Sequence, residues 1–385
     1  MHKSKLHKDE RVYDLIVIGA SFAGLIAART AAHRGLRVGV IDAKKEPGAR
    51  VRTTGILVKE AVAECDIPSA LTRKIPGVRL YAPNHKYTDL FAPGYYFLAT
   101  DTAAIMRWLA REASRAGADL FFGARFTDAT ITDDLVHLHG LDLKARYLLG
   151  ADGAKSRVAA TFGLGQNTEF LTGLETEYEE TPTVDPDFLH CFVDSQHAPG
   201  YLGWVAPGVG ITQVGLAVSN GPLGKKRKPN YDGFLKSIDH HFALWNCEVR
   251  RSGPIPCGGL VHPLSTHRVL LTGDAAGLVS PLTAGGIRLA FQYGRRAGAT
   301  ISEYLQDGGA DPGALMAREY PGFGLKTWMR RAWSAAPPNA LLNATLFTPP
   351  MRALAQWIYF QKRGDSAFSL SNNAQSPAHA IAAHK

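Results

Sequence analysis

Residues Val12 to Ile18 form a strand-like run, aliphatic from Leu15 on, that ends in Gly19-Ala20-Ser21-Phe22-Ala23-Gly24, and no other feature restricts the fold of this chain as much. Such a run reads as a strand buried on both faces. Phe22 to Arg34 follows with alanine-rich helical composition, Gly35 stops it, and Leu36 to Ile41 returns as a second strand. A glycine-rich turn at the strand-helix junction of such a β-α-β unit seats a dinucleotide pyrophosphate on the amides of the helix N-terminus. Gly19 permits the tight turn and Gly24 close helix packing. Ser21 stands where the usual fingerprint has its middle glycine; it is small enough to leave room for backbone approach. Asp42 ends the second strand, just before Ala43, where an acidic side chain accepts ribose hydroxyls and disfavours a 2′-phosphate.

Two later segments repeat the strand-to-turn pattern. Leu149-Gly150-Ala151-Asp152-Gly153 runs into a hydroxyl-marked helix start at Ser156, which fits a cofactor contact or an ordinary capped turn. Leu270-Leu271-Thr272-Gly273-Asp274 is followed by Ser280-Pro281-Leu282-Thr283-Ala284-Gly285-Gly286-Ile287 and a helix through Ala299. Asp274 is suited to a ribityl or ribose hydroxyl, and the Ala284 to Gly286 turn aims a helix N-terminus at its neighbour. Between these segments, Thr168 to Val218 is β-rich, so the dinucleotide domain is expected to be discontinuous.

The reading is an α/β chain: a discontinuous Rossmann-like domain (12–80, 100–167 and 258–308), an inserted β-rich substrate domain (81–99 and 168–257) and a C-terminal helical region (309–363). Residues 1–11 read as a basic tail and 364–385 as a disordered one. The basic start has the outline of a signal peptide, but Asp14 and the two glycines assign the apolar run to the nucleotide turn. No apolar stretch approaches the roughly 20 residues that span a bilayer. Four scattered cysteines without a Cys-x-x-Cys pair fit a reducing cytoplasm.

Together, in this order, the three segments resemble the FAD-dependent oxidoreductases typified by para-hydroxybenzoate hydroxylase. Within that superfamily, Arg146 to Gly153, Gly203-Trp204-Val205-Ala206-Pro207 and Thr272 to Gly286 resemble the geranylgeranyl reductases, and the likeness spans roughly residues 12 to 305. The resemblance implies an extended FAD, with adenosine near Gly19 to Gly24, Asp42, Arg125 and Phe126, and isoalloxazine near Pro281 to Ile287. The helix opening at Gly285 would favour negative charge at flavin N1 and the C2 carbonyl.

The chain departs from the family at two places. A Cys-Gly-Gly-like turn facing the flavin is replaced by Arg50-Val51-Arg52-Thr53-Thr54, leaving Arg50, Arg52, Thr53 and Thr54 as candidates beside the flavin. The arginine that opens the helix Asp101 to Ala116 and binds a phosphate aligns with Thr102.

The reaction implied is reduction of carbon-carbon double bonds in an isoprenoid or similar apolar substrate, with hydride from flavin N5. Alternatives are a monooxygenase using NAD(P)H and oxygen, and a flavin-binding scaffold without turnover. No separate nicotinamide motif is visible, so NAD(P)H or reduced ferredoxin is expected only as a visiting donor. Tyr201, Trp204 and Phe192 either line an apolar substrate chamber or form plain sheet core. A net charge of +9 favours acidic partners, and Lys225 to Lys228 is either a docking patch or a solvated loop. Without a recognised nucleic-acid fold, such binding lacks support. The helix Phe347 to Phe360 either rests on a membrane interface or packs on the core. His240, His241, His262 and His267 lack partners at ligand spacing, so no metal site is expected.

Overall fold

The computed structural model describes residues 12–220 and 227–360. The terminal segments read as tails, and Lys225 and Lys226 of the basic run, lie outside these residues.

The first sheet has the strand order Ser265–Thr266, Val269–Leu271, Leu143–Gly150, Val12–Ile18, Val38–Asp42, Asp119–Phe122. All but the first of these strands run parallel. Their register brings Ile18 opposite both Gly150 and Ile41, and Gly150 opposite Leu271. Three strands separated by more than 100 residues therefore end on one line, and their chains turn at Gly19, Ala151 and Thr272. Gly19 N donates to Ile41 O (2.8 Å), Ala151 N to Ile18 O (2.8 Å) and Thr272 N to Gly150 O (2.9 Å). The carboxyl edge of a parallel sheet is where ligands of such folds bind.

The helix Phe22–His33 packs on this sheet and on the long helix Ile287–Asp307. Contact between the two helices is backbone-close: a Cβ at Gly294 would meet Ala23 O at 2.5 Å, and one at Gly298 would meet Ala27 O at 2.5 Å. Thr102–Arg115 lies on the same core, its first turn capped by Asp101 accepting from Ala104 N (2.9 Å).

Residues 129–138 form a hairpin of Ala129–Thr132 and Leu135–Leu138. Asp133 and Asp134 turn it, with φ of 50° and 59°, a left-handed pair that aspartate tolerates and a hairpin turn favours.

The second sheet has seven strands in the order Cys247–Pro256, Phe170–Glu179, Ile211–Ser219, Gly203–Pro207, Phe188–Phe192, Gly77–Tyr81, Tyr87–Phe91. It begins with Gly77, ahead of the expected boundary at 81, because Gly77 without a side chain admits the rings of Phe91 and Phe188. Phe97–Thr100 belongs to a separate three-stranded sheet with Ile56–Val58 and Thr72–Ile75. Four helices follow, Pro312–Glu319, Gly324–Trp333, Asn339–Thr345 and Pro349–Phe360. The last packs on the core: Ala355 and Phe360 are buried, with Phe360 edge-on to Tyr95. No described helix is long and apolar enough to cross a membrane.

Candidate active site

At the first turn, Gly19 has φ +109° and a Cβ there would lie 2.2 Å from Ala151 O, while one at Gly24 would lie 1.9 Å from Gly19 O. Ser21 caps the helix but its hydroxyl accepts no bond from the first turn, so the opening amides are left to an external acceptor. Phe22 and Ala23 are buried, Phe22 edge-on to Phe291 at 5.4 Å, so only their backbone is offered at the turn. Asp42 accepts from Ala20 N (2.8 Å) and Lys44 N (2.7 Å), tying the turn to the end of the second strand. A cleft of about 450 Å³ opens here, lined by Gly19, Asp42, Ala43, Arg125, Phe126 and Asp152. Lys155 and Arg157 line it too. These two cations flanking Ser156 were passed over in the sequence, although their spacing was visible.

Asp152 accepts from Ser156 Oγ (2.6 Å), Arg157 N (2.6 Å) and Val158 N (3.1 Å), so its carboxylate holds the start of the helix Arg157–Thr161. Burial raises its carboxyl above the usual range against these bonds. Gly153 has φ +87° and open space where a Cβ would be. A second hollow, about 300 Å³, is lined by Ala154, Lys155, Asn167 and Ala275. Asn167 Nδ2 donates to Ala154 O (3.1 Å) and Asp274 O (2.8 Å), clamping the second segment to the third. No pattern in the sequence marks Asn167, because both partners are main-chain oxygens, 13 and 107 residues away.

Gly273 has φ +59° against Ala23, which joins the third segment to the first helix. Asp274 is exposed, yet protein surrounds it closely enough that desolvation pushes its carboxyl up to about 6. The turn from Ser280 is closed by Ser280 N donating to Gly285 O (3.0 Å) and Ala284 N to Ser280 O (2.9 Å), with Ala284 at φ +53°. The helix expected from Gly285 starts at Ile287, with Gly286 as its cap and no side-chain bond to its first amides. A Cβ at Gly286 would lie 3.5 Å from Asp274 Oδ1, so Asp274 and this helix start adjoin. Pro281, in the same turn, is buried.

Among the four candidates expected beside the flavin, Thr54 is the most engaged. Its hydroxyl donates to Glu175 Oε2, which also accepts from Trp204 Nε1 (2.7 Å), while Arg251 Nε donates to Glu175 Oε1 (2.8 Å). Gln213 Nε2 donates to Thr54 O (3.0 Å). Thr53 Oγ1 accepts from Gly55 N (3.3 Å), whereas Arg50 and Arg52 are exposed, Arg50 with φ 48°. The buried Glu175–Arg251 pair escaped the sequence reading, its partners being 76 residues apart on adjacent strands.

Tyr201, Trp204 and Ala284 pack against one small cluster of Leu171, Ala217 and Cys257, which brings two of the three aromatic candidates to the turn expected at the flavin. Phe192 is a correction. It points to the other face of its sheet, stacked on Tyr81 at 4.3 Å and packed with Phe234 and Phe242, because residues 192 and 204 belong to opposite sides of the pleat. Thr102 is a second correction. Its hydroxyl pairs with that of Thr100 (2.9 Å) under Gly55, whose Cβ position is 1.9 Å from Thr102 Oγ1, so it lies beneath a loop and not on the cleft. His240 and His241 meet His85, which the sequence spacing concealed.

Converging glycine turns, bare helix amides and the Asp274 carboxylate beside the helix start at Gly286 together fit an extended dinucleotide, so the site defines a flavin-dinucleotide class of protein. Residues 12–317 match the family model of the FAD binding domain. Over 314 residues the chain is 30% identical to digeranylgeranylglycerophospholipid reductase of Methanosarcina acetivorans, covering 77% of each, and 29% identical to digeranylgeranylglycerophospholipid reductase 2 of Methanosphaera stadtmanae, covering 77% of this chain and 79% of that one. Its fold matches a geranylgeranyl bacteriochlorophyll reductase-like protein of Thermoplasma acidophilum with a TM-score of 0.76 at 22% identity, covering 91% and 97% of the two chains. It also matches a probable FAD-dependent monooxygenase of Pseudomonas aeruginosa with a TM-score of 0.68 at 18% identity, covering 88% and 100%. The protein is an FAD-dependent oxidoreductase. It belongs to the FAD binding domain family, within the geranylgeranyl reductase group.

Proposed function

We propose that this enzyme reduces carbon-carbon double bonds of an isoprenoid chain. The observation that carries the reading is the packing of Trp204 and Tyr201 against the same cluster as Ala284, which sets an apolar aromatic wall beside the turn assigned to the flavin. Gly19 to Gly24, Asp42, Arg125 and Phe126 would hold the adenosine and pyrophosphate end of FAD, and Asp274 with Gly285 to Ile287 its far end. Bound there and reduced, FAD supplies hydride at N5. Glu175 fixes the direction of both the Thr54 hydroxyl and the Trp204 indole, making it a positioning residue for the substrate side. The relatives named for digeranylgeranylglycerophospholipid support the substrate class.

The electron donor is a visiting one, NAD(P)H or an acidic reduced ferredoxin, which a net charge of +9 would favour, while Lys155 and Arg157 line the cleft that would hold the pyrophosphate. The enzyme works in the cytoplasm, touching the membrane peripherally through the exposed Leu325 and Trp328. Purified protein carrying dithionite-reduced FAD is mixed anaerobically with geranylgeranyl lipid; substrate-dependent reoxidation with a saturated product is the expected result. Absence of reoxidation on every prenyl substrate tried would overturn the reading, and oxygen consumption coupled to a hydroxylated product would replace it with a monooxygenase.

A further inference from the structure

We propose that His85, His240 and His241 form a binding site for a divalent transition-metal ion, zinc foremost. The ligand nitrogens of all three lie within 4.8 Å of one another. His241 Nε2 and His85 Nδ1 are 3.1 Å apart, close to the edge of about 3.3 Å that a tetrahedron with Zn–N bonds of about 2.0 to 2.1 Å requires. Three neutral imidazoles with a fourth position for water suit zinc, cobalt, nickel or copper, and not the hard cations that seek oxygen.

The three side chains are delivered by two well-anchored elements. His85 sits in the turn joining Gly77–Tyr81 to Tyr87–Phe91, at φ 62°, with its N–H on Ala82 O (2.9 Å). His240 and His241 follow the helix Tyr231–Ile238, where His241 N donates to Ile238 O (2.9 Å) and the next residue, Phe242, is buried in the core. The His241 ring lies 5.7 Å from that of Tyr81. Asp194, held by His197 Nδ1 (2.7 Å) and Asn339 Nδ2 (2.8 Å), acts electrostatically on His85, and Asp239 Oδ1 lies 3.9 Å from His240 Nδ1. These carboxylates favour a cation nearby.

Tyr81 and Phe192 separate the cluster from the sheet face that bears Trp204, so the ion would staple a hairpin to a helix end and take no part in turnover. Untagged, EDTA-treated, FAD-loaded protein is titrated with zinc and, separately, with cobalt. One equivalent of zinc bound, the intense visible absorption of four-coordinate cobalt, and a zinc-dependent rise in Tm are the expected results. His85→Asn, which keeps the left-handed backbone, and the exposed-site variant His240→Ala should each lose all three while keeping the wild-type flavin spectrum. Failure of the wild type to take up zinc after dialysis would overturn the site, as would equal uptake by both variants. A variant that loses its flavin is replaced as evidence by the other, whose side chain lies on a different element.

Discussion

Gly24 is the position where the least added volume should do the most damage. A methyl group 1.9 Å from Gly19 O forces the turn open just where the bare amides face the cleft. Gly24→Ala should lose stoichiometric FAD, read from the flavin-to-protein absorbance ratio, and lower stability by about 1 to 3 kcal/mol in urea unfolding. Asp274 carries a pH signature. Its folded carboxyl titrates near 6 while the unfolded chain's sits near 4, so ionisation weakens the folded state at every pH above about 6, and that cost fades as pH falls from about 6 to about 4. Asp274→Asn should therefore raise the stability of FAD-free protein at pH 7.5, by on the order of 1 kcal/mol once its exposure is discounted, with the gain vanishing by about pH 4.5. A gain independent of pH would mean the carboxylate is fully hydrated. The same variant should bind FAD more weakly.

Among elements, the two helices in glycine-mediated contact respond differently along their length. Gly294 lies against Ala23, inside the nucleotide turn's first helical residues, and Gly298 against Ala27 one turn on. Both alanine variants should be destabilised by about 1 to 3 kcal/mol, but Gly294→Ala should weaken FAD binding several-fold more than Gly298→Ala, measured by fluorescence titration. The first β-α-β unit and the Gly273-Asp274 segment were legible because each depends on residues a few positions apart. Asn167, the Glu175–Arg251 pair and the His85 cluster were not, since chain reversal and strand order bring their members together across 76 to 156 residues. Phe192 failed for a subtler reason: alternation shows which residues share a face, but not which face meets the cofactor. Within the basic run, Arg227 Nη1 donates to Ser334 O (2.8 Å), next to the end of the helix Gly324–Trp333.

Over the whole molecule, the C-terminal helices divide their labour. Pro349–Phe360, the segment with the membrane-like composition, turns its aromatics inward, whereas Gly324–Trp333 leaves Leu325 and Trp328 64% and 68% exposed, three residues apart on one face. An unburied pair so spaced suits a lipid interface. Replacing both with serine should reduce co-sedimentation with anionic vesicles without lowering FAD content, and unchanged sedimentation would remove this face from consideration. The sheet that carries the nucleotide turn has its own consequence for biosynthesis. Its strand Val269–Leu271 joins Leu143–Gly150, the neighbour of Val12–Ile18, and is synthesised more than 100 residues after both, with the helix that seals the turn made later still. The ribosome thus releases the parts of one binding edge at widely separated times, so the nascent chain must hold an apolar, unfinished sheet while the whole second sheet is being synthesised. Stalled chains ending at about residue 260 should capture no FAD, and chains extended past the helix Ile287–Asp307 should capture it, as read by flavin fluorescence on purified nascent complexes.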